Sequence, residues 1–131
     1  MQEKSKQRPK FLTLQEIRLP LPGIASILHR VSGAGLFLFL PFLIWLLQLS
    51  LSAAPEGQAL FAQYSGNFLV RLVLLGLVWA FLHHCCMGIR ILLIDVHVGV
   101  EKAKARSSAV AVMAVSLALT AVFGLKLLGV Y

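Results

Sequence analysis

Residues 31–51 are VSGAGLFLFLPFLIWLLQLSL, and no Asp, Glu, Lys or Arg interrupts them. A helix needs about 20 apolar residues to cross a hydrocarbon core of about 30 Å, so this run predicts a transmembrane helix. Residues 72–89 and 107–125 form two further runs of the same kind. Each run is apolar around the whole helix, which excludes the one-sided pattern of a soluble amphipathic helix. The sequence therefore predicts an all-α membrane protein with three transmembrane helices.

The composition of the whole chain supports a membrane protein. Of its 131 residues 59% are hydrophobic and only 13% are charged, whereas soluble domains are about a quarter charged. An ordinary soluble domain, a disordered tail and a disulfide scaffold are thereby excluded. The net charge of +7 is interpreted as a membrane-topology signal, because basic residues flank membrane spans on one side. We expect one domain over residues 1–131, with the lipid bilayer as a partner and no nucleic acid.

The ends of the helices are predicted from the residues that flank the apolar runs. Pro20, Pro22 and Gly23 precede the first run, and we expect them to delay the first helix. An N-terminal arm of residues 1–23 would then lie outside the membrane. The expected helices lie at about residues 24–52, 67–95 and 107–129.

Positive charge predicts the orientation of the chain. Between the first two helices, residues 52–70 carry Glu56 as their only charged residue. The basic residues gather in the N-terminal arm and in the second connection, as Lys4, Lys6, Arg8, Lys10, Arg18, Lys102, Lys104 and Arg106. Since Lys and Arg are enriched on the cytoplasmic side, we expect a cytoplasmic N-terminus and a C-terminus on the other side.

The second helix contains a cluster of polar side chains at residues 82–90, LHHCCMGIR. The four residues from His83 to Cys86 point about 100° apart on a helix, so they cannot converge on one ion, and we interpret the cysteines as small apolar side chains. A haem iron needs only one histidine from a helix. His84 is followed one turn later by Gly88, which leaves space for the edge of a porphyrin. The alternative, a hydrogen bond from His84 to a neighbouring helix, stays open on spacing alone.

A second polar group lies near the start of the first helix. Ser26 and Arg30 are one turn apart and share a face, with His29 beside them. They predict either a polar pocket that offers a hydroxyl and a positive charge to a carbonyl or carboxylate, or an anchor whose side chains reach lipid headgroups. Gly33 and Gly35 follow, and they permit close approach of another helix or a flat ligand.

The expected depths of the histidines limit what they can bind together. His84 lies eleven residues before Asp95, which corresponds to about 16 Å of helix below the cytoplasmic interface. His29 is expected at that interface. It would be too shallow to be a second axial ligand, but with Arg30 it would reach the propionates of a haem above His84. A second axial ligand would therefore come from another chain.

Three segments carry a family pattern. Residues 7–9 and 14–20 form a pre-membrane arm, and residues 24–33, IASILHRVSG, contain the motif S-I-x-H-R-x-S/T-G. Residues 84–90 followed by Asp95 contain H-x-x-x-G-x-R…D. With these motifs the chain resembles, over essentially its whole length, the cytochrome b anchor subunit of bacterial succinate dehydrogenase (respiratory complex II).

The resemblance implies half of a two-chain haem-binding helical bundle in the bacterial inner membrane, with the C-terminus in the periplasm. The implied partners are a second membrane-anchor subunit, an iron–sulfur subunit and an FAD flavoprotein. Electrons from succinate would pass through FAD and the iron–sulfur clusters to ubiquinone, and this chain would hold no succinate site.

The resemblance also implies roles for individual residues. His84 would be the axial ligand to the iron of haem b, with the other ligand from the second anchor subunit. Ser26 and Arg30 would bind ubiquinone, and His29 and Arg30 would contact the haem propionates. Relatives often have a second histidine directly after Gly-x-Arg, where this sequence has Ile91.

Two other functions fit part of the pattern. An anchor of a quinol–fumarate reductase would share the cofactors and run the reaction in reverse. A non-redox three-helix assembly or transport subunit would use Ser26, His29 and Arg30 as headgroup anchors and His84 as an interhelical hydrogen-bond donor.

Overall fold

A computed structural model of the chain describes residues 17–130. Within that range the chain forms four α-helices and no strand. Helices α1, α3 and α4 are long and apolar enough to cross a membrane, which confirms the predicted all-α membrane fold with three spanning helices. Most of the N-terminal arm and of its motif, residues 1–16, lies outside the described residues. The helices are α1, Leu21–Ser50; α2, Pro55–Gly66; α3, Phe68–Asp95; and α4, Lys102–Leu127.

Two of the spanning helices begin earlier than the sequence predicts. Helix α1 begins at Leu21 rather than near residue 24, with Pro22 in its first turn. A proline is tolerated there because the first backbone N–H groups of a helix have no partner inside it. Helix α4 begins at Lys102 rather than near residue 107. Charged residues end an apolar run without ending a helix, so the basic turn before the run is also helical.

The short helix α2 in the first connection was not predicted, because it is too short and too polar to form an apolar run. Pro55 stands in its first turn, and Gln58 donates a hydrogen bond to the Ser52 carbonyl at 2.6 Å. Directly after α2, the Asn67 side chain accepts from the backbone N–H of Leu69 at 2.9 Å and caps α3. The connection between α1 and α3 is thus tied to the ends of both helices.

Helix α3 packs against both α1 and α4, which contact each other less. The cluster of buried apolar side chains is small and comprises Ala25, Met87, Ala109 and Val112. Many apolar side chains point away from the chain, among them Phe37 and Phe81. A single chain with so small a core and so much apolar surface suits surroundings of lipid or other subunits.

Candidate functional site

Helices α1 and α3 bring His29 and His84 into direct contact. Their rings stack with centroids 4.1 Å apart and planes inclined by 12°. The expected difference in depth between the two histidines is therefore wrong. Because α1 begins at Leu21, His29 lies about 12 Å along it, while His84 lies about 16 Å from the end of α3. The two side chains are nearly level.

The His84 imidazole has one nitrogen paired inside the chain and one left open. Its Nδ1 lies 3.0 Å from the His29 carbonyl oxygen. A carbonyl oxygen only accepts, so Nδ1 carries the proton and donates, and in the neutral imidazole Nε2 then has the lone pair. Nε2 makes no hydrogen bond within residues 17–130, and the half-buried ring is not enclosed by the chain. This donor set fits a haem axial ligand, because metal-binding histidines usually donate their other N–H to an oxygen.

Ser32 and Gly33 of α1 border the His84 ring. A Cβ atom at Gly33 would lie 2.7 Å from Cε1 of His84 and 3.1 Å from Nδ1. The Ser32 hydroxyl donates to the His29 carbonyl at 2.9 Å, and its oxygen lies 3.4 Å from His84 Nδ1. The sequence predicted a close approach at Gly33, but Ser32 had no assigned role. Only its place in the motif could have pointed to it.

Gly88 lies one turn after His84 on α3. A Cβ atom there would meet, within 4 Å, only Nε2 of His29 at 3.9 Å, which is an ordinary contact. Packing inside the described chain therefore does not require glycine at this position. The space beside Gly88 is bordered by the His29 ring and is otherwise open in the described chain, so it could admit the edge of a flat ligand.

His83 has the opposite surroundings to His84. It is completely buried (0% exposed), its Nε2 lies 3.4 Å from the Ala25 carbonyl oxygen, and its ring stacks on Trp79 at 5.2 Å. Its Nδ1 and the Trp79 Nε1 have no hydrogen-bond partner in the part of the chain described. A cofactor outside the chain cannot reach His83 without opening the helix contacts, so only His84 of the two histidines presents a nitrogen outward.

Arg90, which the sequence placed in the motif without a role, joins α3 to α4. The side chain is buried, at 7% exposure. Its Nε donates to the Ser108 hydroxyl at 2.9 Å, and its Nη2 donates to the Ala105 carbonyl at 3.0 Å. Arg90 shares a face with His83 and Met87, at spacings of seven and three residues. That spacing was the signal for a packing role.

Ser26 and Arg30 remain available on α1. Ser26 is half-buried and Arg30 is exposed. Neither side chain makes a hydrogen bond or an ion pair with the described residues, and no contact of this kind joins them to His84. A hydroxyl and a positive charge, one helical turn apart, are thus free to bind a carbonyl or carboxylate from outside the chain.

Within residues 17–130 no group of three or more His, Cys, Asp or Glu side chains could hold a metal ion. Cys85 is an exposed free thiol and Cys86 a half-buried one. A haem iron needs only one histidine from a helix, so such a group is not required for haem ligation.

Comparison with known proteins assigns these helices to a family. A sequence model of the family described as the succinate dehydrogenase/fumarate reductase transmembrane subunit matches residues 4–123. The succinate dehydrogenase cytochrome b556 subunit of Paracoccus denitrificans is 32% identical over 112 residues, covering 86% of this chain and 85% of the relative. The proteins of the same name from Coxiella burnetii and Rickettsia felis are similar too. The first is 33% identical (84% of this chain, 88% of the relative) and the second 31% identical (75% of each).

Proposed function

The chain belongs to the succinate dehydrogenase/fumarate reductase transmembrane subunit family, and from this premise we propose that it is the cytochrome b subunit of a succinate:ubiquinone oxidoreductase. Family membership makes the chain a multi-pass membrane subunit of an oxidoreductase complex. The proposal adds that the chain shares one haem b with a second anchor subunit and forms part of the ubiquinone site. The chain itself holds no succinate site.

The observation that carries the proposal is the geometry of His84. With Nδ1 donating to the His29 carbonyl at 3.0 Å, the lone pair of Nε2 is the one group left to bind iron. Haem b, when bound, accepts and releases single electrons. His84 would hold its iron from this chain, and the second anchor subunit would supply the other axial ligand. His29 and the exposed Arg30 would face its propionates, since a guanidinium pairs well with carboxylates.

Ser26 and Arg30 are proposed to bind ubiquinone. Ubiquinone becomes ubiquinol by gaining two electrons and two protons, and negative charge develops on its carbonyl oxygens as the electrons arrive. The Ser26 hydroxyl can donate a hydrogen bond to one such oxygen, and the Arg30 guanidinium stabilises the developing charge. Both groups are free of other partners in the described part of the chain, so binding would not first have to break an internal contact.

We further propose a direction for the reaction, the subunits that carry it out and an orientation for the chain in the membrane. Three relatives carry the name succinate dehydrogenase, which favours succinate oxidation over the reverse reaction of a quinol–fumarate reductase. Succinate would lose two electrons and two protons at FAD in the flavoprotein, and the iron–sulfur subunit would carry the electrons to ubiquinone. The distribution of Lys and Arg supports a bacterial inner-membrane protein with its N-terminus in the cytoplasm and its C-terminus in the periplasm.

Absorption spectroscopy of the complex purified from membranes tests the haem. A dithionite-reduced minus oxidised spectrum should show the bands of a b-type haem, with one haem per copy of this chain. A complex that contains the flavoprotein and iron–sulfur subunits but shows no such bands would contradict the proposal. It would favour a non-redox anchor.

Ser26→Ala and Arg30→Gln test the quinone site. Losing one hydrogen bond, of about 1.5 kcal/mol to a charged group, should lower ubiquinone reduction about tenfold. Succinate oxidation by a soluble dye should be unchanged, since the flavin lies in another subunit. Ser107→Ala and Arg106→Gln, at exposed positions of α4, are the matched controls. Equal rates of ubiquinone reduction in variants and controls would refute the assignment.

A further inference from the structure

We propose that Ser32 and Gly33 form a seat for the His84 imidazole, fixing both its orientation and its tautomer so that Nε2 is the nitrogen that would bind a haem iron. The two residues would be positioning residues that touch the ligand and not the haem. This inference rests on the proposed role of His84 as the axial ligand.

Gly33 sets the distance between the ring and α1. A Cβ atom at this position would lie 2.7 Å from Cε1 of His84, closer than two carbon atoms can approach. Any residue other than glycine would therefore displace the ring. The ring is covered on another side by His29, whose centroid is 4.1 Å away, so displacement would also disturb that stack. At Gly76 of α3, by contrast, a Cβ atom would meet nothing within 4 Å.

Ser32 acts on the tautomer through the His29 carbonyl. Its side chain is 3% exposed, and its hydroxyl donates to that carbonyl at 2.9 Å, while His84 Nδ1 donates to the same oxygen at 3.0 Å. The His29 carbonyl oxygen thus accepts from both Ser32 and His84. Each of these two hydrogen bonds weakens the other. Nδ1 faces this oxygen and, at 3.4 Å, the Ser32 oxygen. Two oxygens beside Nδ1 favour the tautomer with the proton on Nδ1 and the lone pair on Nε2.

Gly33→Ala and, as its control, Gly76→Ala in the whole purified complex test the orientation. Changes beside a metal ligand typically cost about 10–100-fold in metal affinity, so Gly33→Ala should lower haem occupancy and speed haem loss to apomyoglobin at least about tenfold. Gly76→Ala adds the same methyl group to α3 at a position where a Cβ atom would meet nothing within 4 Å, and it should match the unmodified complex. Equal haem occupancy and equal rates of haem loss in the two variants would refute the claim that Gly33 fixes the orientation of the His84 ring.

Ser32→Ala and Ser32→Thr test the tautomer half, and they decide it even if Gly33→Ala fails to assemble. In Ser32→Ala the His29 carbonyl accepts from Nδ1 alone, which makes the imidazole a stronger electron donor and favours ferric iron. The midpoint potential of the haem should therefore shift to more negative values, with a changed electron paramagnetic resonance signal. Ser32→Thr keeps the hydroxyl and should restore both. A midpoint potential in Ser32→Ala that is unchanged or more positive would refute the claim that Ser32 acts on the His84 imidazole through the His29 carbonyl.

His84→Ala in the same series separates the ligand role of His84 from the positioning roles of Ser32 and Gly33. If His84→Ala keeps its haem, the proposed ligand is wrong and the seat falls with it. If His84→Ala loses its haem while the Gly33 and Ser32 variants behave like the unmodified complex, the ligand stands and only the seat is refuted.

Discussion

The two faces of α3 put neighbouring polar residues to opposite uses. On the enclosed face, His83 and Arg90 are buried at 0% and 7% exposure, and their hydrogen bonds run to α1 and α4. On the open face, His84 keeps one nitrogen unpaired, and the space beside Gly88 is nearly empty. His83 and His84 are adjacent in sequence but about 100° apart on the helix. Helix packing therefore separates a structural histidine from one that is available to a cofactor.

The largest effect is expected when the histidine on the open face of α3, His84, is removed. His84→Ala removes the nitrogen that we propose binds iron on this face, so the purified complex should lose its b-type haem bands. Haem content per complex by pyridine haemochrome assay measures the loss. His83→Ala, on the enclosed face, is the matched control and should keep its haem. Loss of haem in His83→Ala with retention in His84→Ala would reverse the comparison.

Arg90→Leu should have the next largest effect, and on stability rather than on haem ligation. It removes two hydrogen bonds from a charged donor to α4, each worth about 1.5–3 kcal/mol. The half-buried Ser108 hydroxyl and Ala105 carbonyl lose their bonds to the guanidinium and keep the one between them, at 3.2 Å. The thermal transition of the complex, followed by light scattering, should fall by several degrees, while the haem spectrum at low temperature stays unchanged. An unchanged transition temperature would show that the hydrogen bonds from Arg90 to α4 do not stabilise the complex.

Gly124→Ala tests how tightly the enclosed face packs on α4. A Cβ atom there would lie 2.6 Å from Cδ1 of Leu75, so the leucine must change rotamer at a cost of about 1–2 kcal/mol. Gly76→Ala is the matched control, because a Cβ atom at Gly76 would meet nothing within 4 Å. The difference in thermal transition between the two variants measures the cost. Equal transition temperatures would mean that the contact between α3 and α4 accommodates the methyl group without loss of stability.

His83→Phe should change least of all. The variant keeps an aromatic ring against Trp79 and removes Nδ1, which is buried without a partner in the described residues. The lost hydrogen bond to Ala25 is long, at 3.4 Å, and that carbonyl still accepts within its own helix. We expect a change in stability below about 1 kcal/mol and full haem content, measured by thermal transition and absorption spectrum. Loss of haem would mean that His83 also supports the cofactor.

Much of the fold was predictable because a bilayer imposes simple rules on sequence. Three charge-free runs identified α1, α3 and α4, since a charged side chain in hydrocarbon is costly. The same rule could not find α2, which has no apolar run, or the first turns of α1 and α4. Those turns depend on how proline and lysine fit a helix end and not on hydrophobicity.

The candidate site was only partly predictable. The spacing of His84 and Gly88 pointed to one face of α3, and within residues 17–130 Nε2 of His84 makes no hydrogen bond. The depth assigned to His29 was wrong, because nearness to the predicted start of α1 was read as a place at the interface, whereas eight residues of helix precede His29. The roles of Ser32 and Arg90 depend on contacts between helices, which no single helical pattern contains.

By itself the sequence determined the number of spans, their order and the face on which each histidine lies, because hydrophobicity and the 100° step of the helix are local properties. Only the tertiary structure decided which histidine is enclosed and which is open. The side-by-side register of α1, α3 and α4 sets the pairing of His84 Nδ1 with the His29 carbonyl and of Arg90 with Ser108. That register arises from contacts between residues more than fifteen positions apart, such as Gly33 with His84, and spacing along one helix does not encode it.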